Sequence, residues 1–422
     1  MNKKEKSVIV FVIVIIMILT VFSILEIKKR LQQEKEGVVE KTEGFNITGN
    51  YNIDLIKKFH EVDNSKNYLI SPYNIEIGLN MLRDGSSGKT KEELDKVLGN
   101  RVINDVSVKN KIGIANAVFI KDDYKNNVKK NYYNILNVKY NSEVIYDKFN
   151  NPDKINNWVK EKTNGMIDKI LDDINKDFVM GLASALAIDV KWEDSFECNR
   201  TTEEVFTKIN NEQINVEMMH QTYDTGVYKY FENSDSKGII IPYEQEENSN
   251  TKLEFVGILP NDNVNEFIKN LTKEKLNNID KNSKIAGNKL HINLSLPRFK
   301  YDYSPRNFID ILKNMGIKEA FDSEKANFKN MIEIHNYNVY VGEAIHKTHI
   351  ELNEVGTKAA AITYFGMFKN SAFIEPNEYE TIDINFNKPF IYMIREASTK
   401  EILFFGTVYE PNIWKGSTCN NK

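Results

Sequence analysis

Net positive charge is the first thing this chain lacks. Its 56 Lys and Arg face 60 Asp and Glu, leaving a formal charge of −4 over 422 residues. Phosphate-binding surfaces need Lys and Arg clustered on one face, interleaved with aromatics where bases stack. No such stripe occurs, so nucleic acid is excluded as a partner. Cysteine is nearly absent, with only Cys198 and Cys419. They could pair, but Cys419 sits in a polar tail far along the chain. The expectation is two free thiols and a stability that does not rest on disulfides. Histidine is scarce too, with six residues: His60, His220, His291, His335, His346 and His349. The last two are three apart in a strand-like stretch, which sends them to opposite faces, so no metal site is expected.

Linkers and catalytic signatures are also missing. From Asn46 onward no Pro-, Gly- or Ser-rich stretch divides the sequence and no repeat recurs, which argues for one large domain. Gly85-Ser86-Ser87-Gly88-Lys89-Thr90 imitates the end of a phosphate-binding loop, but the earlier glycine of that pattern is replaced by Arg83 and no buried strand precedes it. It reads as a turn between helices, and no cofactor is implied. No Gly-x-Ser-x-Gly elbow is present, and local sequence marks no Ser/His/Asp set. Such a triad is assembled only by the fold, so sequence leaves that question open.

What the chain does have begins at its N-terminus. Val8 to Leu25 carries no charge, and roughly 18 residues at ~1.5 Å each reach ~27 Å, close to the apolar thickness of a bilayer. The apolar region of a cleaved signal peptide is usually about 7–15 residues long and ends in a small-residue site. An uncleaved anchor over residues 1–27 is therefore expected, with secretion as the alternative, followed by a Glu/Lys-rich tether over 28–45. Lys3, Lys4 and Lys6 before the run nearly cancel Lys28, Lys29 and Arg30 after it. The short N-terminal tail then favours the globular part outside the cell.

Helical spacing leads the globular part, at Asn52–Val62, at Ile75–Leu82 after Ser71-Pro72, from Lys89 with Thr90 as cap and Glu93 three residues later, and at Ile155–Ile170. Strand patterns dominate afterwards: Lys111–Val118, Ala183–Trp192, Gly238–Tyr243, Leu253–Leu259, Lys289–Leu296, Phe390–Arg395 and Ile402–Tyr409. This order gives an α+β domain rather than the regular alternation of a nucleotide-binding sheet.

The most informative stretch is Glu354 to Thr363. If extended, it places Thr357, Ala359, Ala361 and Thr363 on one face, all small. A strand that slides between two existing strands needs such a face, because a close-packed interior tolerates little added volume. An alanine-rich helix or ordinary tight packing would explain the same residues.

Ordered motifs decide between these. Asn67-Tyr68-Leu69-Ile70-Ser71-Pro72-Tyr73-Asn74-Ile75, then Ala115-Asn116-Ala117-Val118-Phe119, then Ile155-Asn156-Asn157-Trp158-Val159 with Thr163-Asn164-Gly165, and finally Phe386-Asn387-Lys388-Pro389-Phe390-Ile391 follow one another as they do in serpins. The chain resembles that family of metastable protease inhibitors over about residues 46–413, leaving 414–422 as a polar tail.

The resemblance implies a large central mixed sheet, two smaller sheets, eight to nine helices and an exposed reactive-centre loop. It implies a monomer that is not an enzyme but traps a serine or cysteine protease in a covalent 1:1 complex. A binding protein that has lost inhibition is the alternative. Glu354, Gly356, Thr357, Ala359, Ala360, Ala361 and Thr363 match the loop hinge. Arg298, Trp192, Ser71, Ser184 and His346 match the region where the sheet opens, with Asn74 where the family usually has Ser and Ser184 where it usually has Asn. Counting from the hinge glutamate sets the cleaved bond at Asn370-Ser371, with Phe368 and Lys369 as alternative specificity residues.

Overall fold

The computed structural model describes residues 48–412 except 102, 104–105, 107–111, 246–248, 336 and 358–378. The expected anchor and tether, the hinge residues Ala359, Ala360, Ala361 and Thr363, the candidate bond residues Phe368, Lys369, Asn370 and Ser371, and the polar tail lie outside these. Among the described residues no helix is long and apolar enough to cross a membrane.

Helix Tyr51–Val62 starts where the Asn50 side chain accepts a hydrogen bond from the Ile53 amide, and Leu55, Ile56 and Phe59 face the core. Helix Pro72–Gly85 starts the same way. Ser71 Oγ accepts from the Asn74 amide at 3.2 Å, and Pro72 occupies a first-turn position that has no amide to lose. The turn at Gly85–Gly88 separates this helix from Gly88–Leu98. There the expected capping box does not form. The cap position is Ser87, three residues earlier, Thr90 is buried and accepts from the Asn327 amide, and Glu93 accepts from the amides of Lys318 and Glu319.

The helix expected over 155–170 spans Asp153–Lys162 and stops there. Asn164 and Gly165 both take positive φ, and a right-handed helix cannot continue through them. Its buried face, Ile155, Trp158 and Val159, packs on Phe119, Ala117 and Ala185, with Trp158 edge-on to Phe119 at 5.6 Å. This helix therefore covers one face of the strands Ile112–Lys121 and Met180–Ile188.

Eight α-helices and four sets of paired strands make up the described residues, the α+β architecture expected. Seven strands form the largest set, with Phe390–Glu396 between Ile402–Val408 and Leu253–Pro260 and buried at every position. Four more, Glu380–Asn385, Leu290–Pro297, Gln213–Tyr223 and Thr202–Thr207, form a mixed sheet in which the first two run parallel. The remaining strands make two ladders that share one run of backbone. Glu143–Asp147, Ile112–Lys121 and Met180–Ile188 form the first. Phe299–Tyr303, Thr348–Leu352, Gly356–Thr357 and Val190–Lys191 form the second. The strand expected at 183–192 thus begins earlier and breaks at Asp189, where it passes from one ladder into the other.

Candidate functional site

Strand Thr348–Leu352 turns back on itself through Asn353. The Asn353 carboxamide oxygen accepts from the amides of Val355 and Gly356, at 3.0 and 3.3 Å, and the Asn353 amide donates to the Gly356 carbonyl. A short side-chain carbonyl bridging two residues ahead is what makes Asn a turn residue. The chain then runs as Gly356–Thr357 between two strands at once. Thr357 pairs with Leu352 on one side, and Gly356 and Thr357 pair with Lys191 and Val190 on the other. A Cβ at Gly356 would fall 2.1 Å from the Val190 carbonyl oxygen, so only glycine fits there.

Trp192 builds the floor of this junction. Its indole N–H donates to the Asn353 carbonyl at 2.8 Å and its ring stacks on Tyr243 at 4.7 Å. Tyr243 in turn shares a 2.6 Å hydrogen bond with Thr357 Oγ1. Thr357 therefore faces inward and is 5 % exposed. The Trp192 amide donates to the Val355 carbonyl and the Phe196 amide to the Glu354 carbonyl, so three successive residues of the turn are held from one segment.

The charges sit directly above. Glu354 is fully buried, and its Oε1 accepts from Arg298 Nε at 2.6 Å, Arg298 Nη2 at 2.5 Å and Thr201 Oγ1 at 2.7 Å. Arg298 Nη1 donates to Glu217 at 2.6 Å. One guanidinium thus holds two carboxylates, one buried and one partly exposed. Breaking a buried pair of this kind by removing one partner costs about 3–5 kcal/mol, because the other charge is left uncompensated.

Below Thr357 the two walls separate. Met180–Ile188 forms one wall and residues 338–347 the other, and among the described residues they are not paired across the gap. The space between them is a cavity of about 680 Å³ lined by Leu182, Leu186, Val339, Val341 and, from the helix behind, Leu79 and Leu82. Ser71, Asn74, Ser184 and His346 gather in it. His346 Nε2 accepts from the Ser71 amide at 3.2 Å, and its ring packs against Phe59 and Phe308. Burial lowers its pKa to about 3, so the ring is neutral and Nε2 is free to accept. His349 instead points to Asp302, at 2.7 Å. Such a cleft offers two backbone edges and an apolar floor, which is what an added strand requires.

Sequence reasoning missed Asn353, Tyr243, Thr201 and Glu217. Asn353 with Gly356 three residues on was a legible turn signal. The other three reach the site through long-range pairing and carried none. Cys198, in a short helical turn two residues before Arg200, is disulfide-bonded, which corrects the expectation of free thiols.

Comparison with known proteins agrees with this geometry. A family model described as serpin (serine protease inhibitor) matches residues 47–411. A serpin-like protein of Thermococcus kodakarensis is 30% identical over 388 residues, covering 87% of this chain and 85% of its own length. Human leukocyte elastase inhibitor is 27% identical over 389 residues, covering 85% and 97%. The crystal structure of tengpin, a thermophilic serpin, in its native state superposes with a TM-score of 0.73 at 31% identity, covering 88% of this chain and 95% of that one.

Proposed function

The chain belongs to the serpin family, and on that footing we propose that it inhibits serine proteases, and cysteine proteases of matching specificity, by being cleaved and then trapping the cleaving enzyme. The observation that carries the reading is Gly356–Thr357, paired on both sides at the head of an open apolar cleft. The protease nucleophile attacks the Asn370 carbonyl, the Ser371 amine leaves with a proton, and an acyl-enzyme remains on Asn370. The freed loop then extends the strand that Gly356–Thr357 begins.

Continuing that ladder without a bulge assigns each partner. Ala359 comes opposite Ile350 and Ile188, Ala361 opposite Thr348 and Leu186, and Thr363 opposite His346 and Ser184. The small face enters beside the cavity without displacing its lining. Asn370 arrives opposite Val339 and Asp177, which both line the cavity, after some 13 residues and ~45 Å of travel. Lys369 and Phe368, the alternative specificity residues, would come opposite Tyr340 and Phe178, and Val341 and Val179, of the same cavity lining. Two unpaired edges gain a strand, and the acylated protease is carried the length of the sheet before water can release it.

We also place the domain outside the cell, held by the apolar run Val8–Leu25. Cys198 is disulfide-bonded, a state that persists in oxidising compartments.

The test is incubation of the full chain, in mild detergent, with a panel of serine and cysteine proteases, read on a denaturing gel. A complex that survives denaturation supports inhibition, and the mass of the released C-terminal peptide fixes the bond. Nicking of the loop by every protease without loss of protease activity defeats it. A serpin-fold protein that binds without inserting would show no rise in melting temperature after loop cleavage.

A further inference from the structure

Away from the hinge, three neighbouring strands each contribute one polar side chain to a continuous relay. Ser295 on Leu290–Pro297 pairs directly with His220 on Gln213–Tyr223, and Ser295 Oγ lies 3.0 Å from His220 Nδ1. On the other side of the ring, His220 Nε2 lies 2.8 Å from Glu204 Oε1, on Thr202–Thr207. With the proton on Nε2, the ring donates to Glu204 and its bare Nδ1 accepts from the Ser295 hydroxyl. This is the arrangement of a nucleophile, a base and a group that orients the base. Thr202 Oγ1, 3.1 Å from the same Nε2 and 3.2 Å from Glu204 Oε1, braces it.

The relay is open to solvent. Its Ser295 and His220 line a depression of about 460 Å³ together with Thr202, Arg200, Thr222 and Asn293, with Glu204 behind the ring. Glu204 is 35% and His220 25% exposed at the side chain, so neither the charge nor the ring is part of the core. Arg200 makes hydrogen bonds of 3.4 and 3.3 Å to Gln221 and Thr222, longer than a guanidinium usually makes. It can turn toward an anion formed at Ser295 with little to give up.

We propose that Ser295, His220 and Glu204 form a second, hydrolytic site, independent of the loop and acting on small carboxylic esters. Ser295 Oγ bonds to the ester carbonyl carbon as its proton passes to His220 Nδ1. The resulting imidazolium is held by Glu204, and the oxyanion faces Arg200. Collapse breaks the carbon–oxygen bond to the alcohol, which takes the proton from His220 and leaves an acyl-serine. Water repeats the sequence with His220 as base, releasing the acid and restoring the serine. The depression is shallow, which suits a small acyl group and not a polypeptide.

The test uses the full chain with p-nitrophenyl acetate and with a fluorophosphonate probe. Expected are steady turnover of the ester and phosphonylation mapped by mass spectrometry to Ser295. Ser295→Ala should abolish both, and His220→Gln should slow both by about 100-fold or more. Glu204→Gln, which leaves the hydrogen-bond geometry nearly intact, should slow turnover less and move its pH profile, a change that a purely structural residue would not cause. Protease trapping by Ser295→Ala should be unchanged, so failure here and failure of the inhibitory reading are separable. Labelling elsewhere, no labelling of a folded chain, or ester turnover that survives Ser295→Ala overturns the proposal.

Discussion

Asn74 and Ser184 hold each other across the mouth of the cleft. The Asn74 side-chain Nδ2 donates to the Ser184 carbonyl at 2.7 Å, and the Ser184 hydroxyl donates to the Asn74 carboxamide oxygen at 2.5 Å. Asn74 lies in the first turn of helix Pro72–Gly85 and Ser184 in the middle of Met180–Ile188, so the pair ties the helix to one wall of the cleft. The two residues exchange the types usual in the family, and the exchange preserves a reciprocal bond. Asn74→Ala should lower the urea midpoint by the equivalent of about 1 kcal/mol, the net worth of a hydrogen bond between partly buried groups. The reciprocal double change Asn74→Ser with Ser184→Asn should recover most of that loss. If the single and double variants are equally weak, the pair is not a coupled unit.

The fold was legible wherever local rules and tertiary packing agree. Ser71-Pro72 announced a helix start, and the buried runs 390–395 and 402–409 announced central strands, because burial on both faces leaves a continuous apolar record. Helix 155–170 was read too long because Ile167 and Ile170 continue the apolar spacing past the turn that ends the helix. Thr90 was read as a cap because the pattern was right, yet its hydroxyl is drawn to Asn327, far away in sequence. In the site, Glu354 and Arg298 could be named from ordered motifs. Tyr243, Thr201 and the Ser295–His220–Glu204 relay could not, since each depends on the register between strands distant in the chain.

Gly356 and Thr357 lie at a point that leaves no room. Gly356→Ala places a carbon against the Val190 carbonyl, where no flexible side chain can yield, so the turn should be expelled from between its two strands. Thr357→Arg would bury a charge beside Tyr243, whose own ionisation burial already opposes. Both variants should still be cut by a protease that recognises the loop. Titration of protease activity should show many more inhibitor molecules consumed per enzyme trapped, most of them released as cleaved product. An unchanged ratio for Thr357→Arg would mean that the inward face of this strand does not control trapping.

Cys198 stands beside the residues that hold Glu354. Phe196 donates its amide to the Glu354 carbonyl and Thr201 its hydroxyl to the Glu354 carboxylate, on either side of the disulfide-bonded cysteine. The only other cysteine in the chain is Cys419. Protein purified without reductant should resist alkylation at both positions, and protease digestion should release the two as one linked peptide that separates on reduction. Alkylation of Cys198 in the unreduced, folded chain would refute the assignment.

Two buried groups should bend the pH dependence of stability in opposite directions. Glu76, 1% exposed in helix Pro72–Gly85, is pushed from 4.5 up to about 7 by burial, an effect that Arg101 opposes and Glu401 reinforces. Arg101 Nε lies 3.1 Å from Glu76, while Nη2 of that arginine donates to both carboxylate oxygens of Glu401. Between pH 4.5 and 7 the folded chain keeps a proton that the unfolded chain has lost. This contribution is intact below 4.5 and disappears as pH rises, by about 3 kcal/mol past pH 7. His346 behaves oppositely. Its folded pKa, lowered from 6.5 to about 3 by burial, makes stability intact above 6.5 and lost as pH falls, by about 5 kcal/mol toward pH 3. Urea midpoints measured from pH 4 to 8 should therefore fall less steeply on the alkaline side in Glu76→Gln than in the wild type, and less steeply on the acid side in His346→Gln. Curves that run parallel to the wild type would show that neither group titrates in the folded chain as its burial requires.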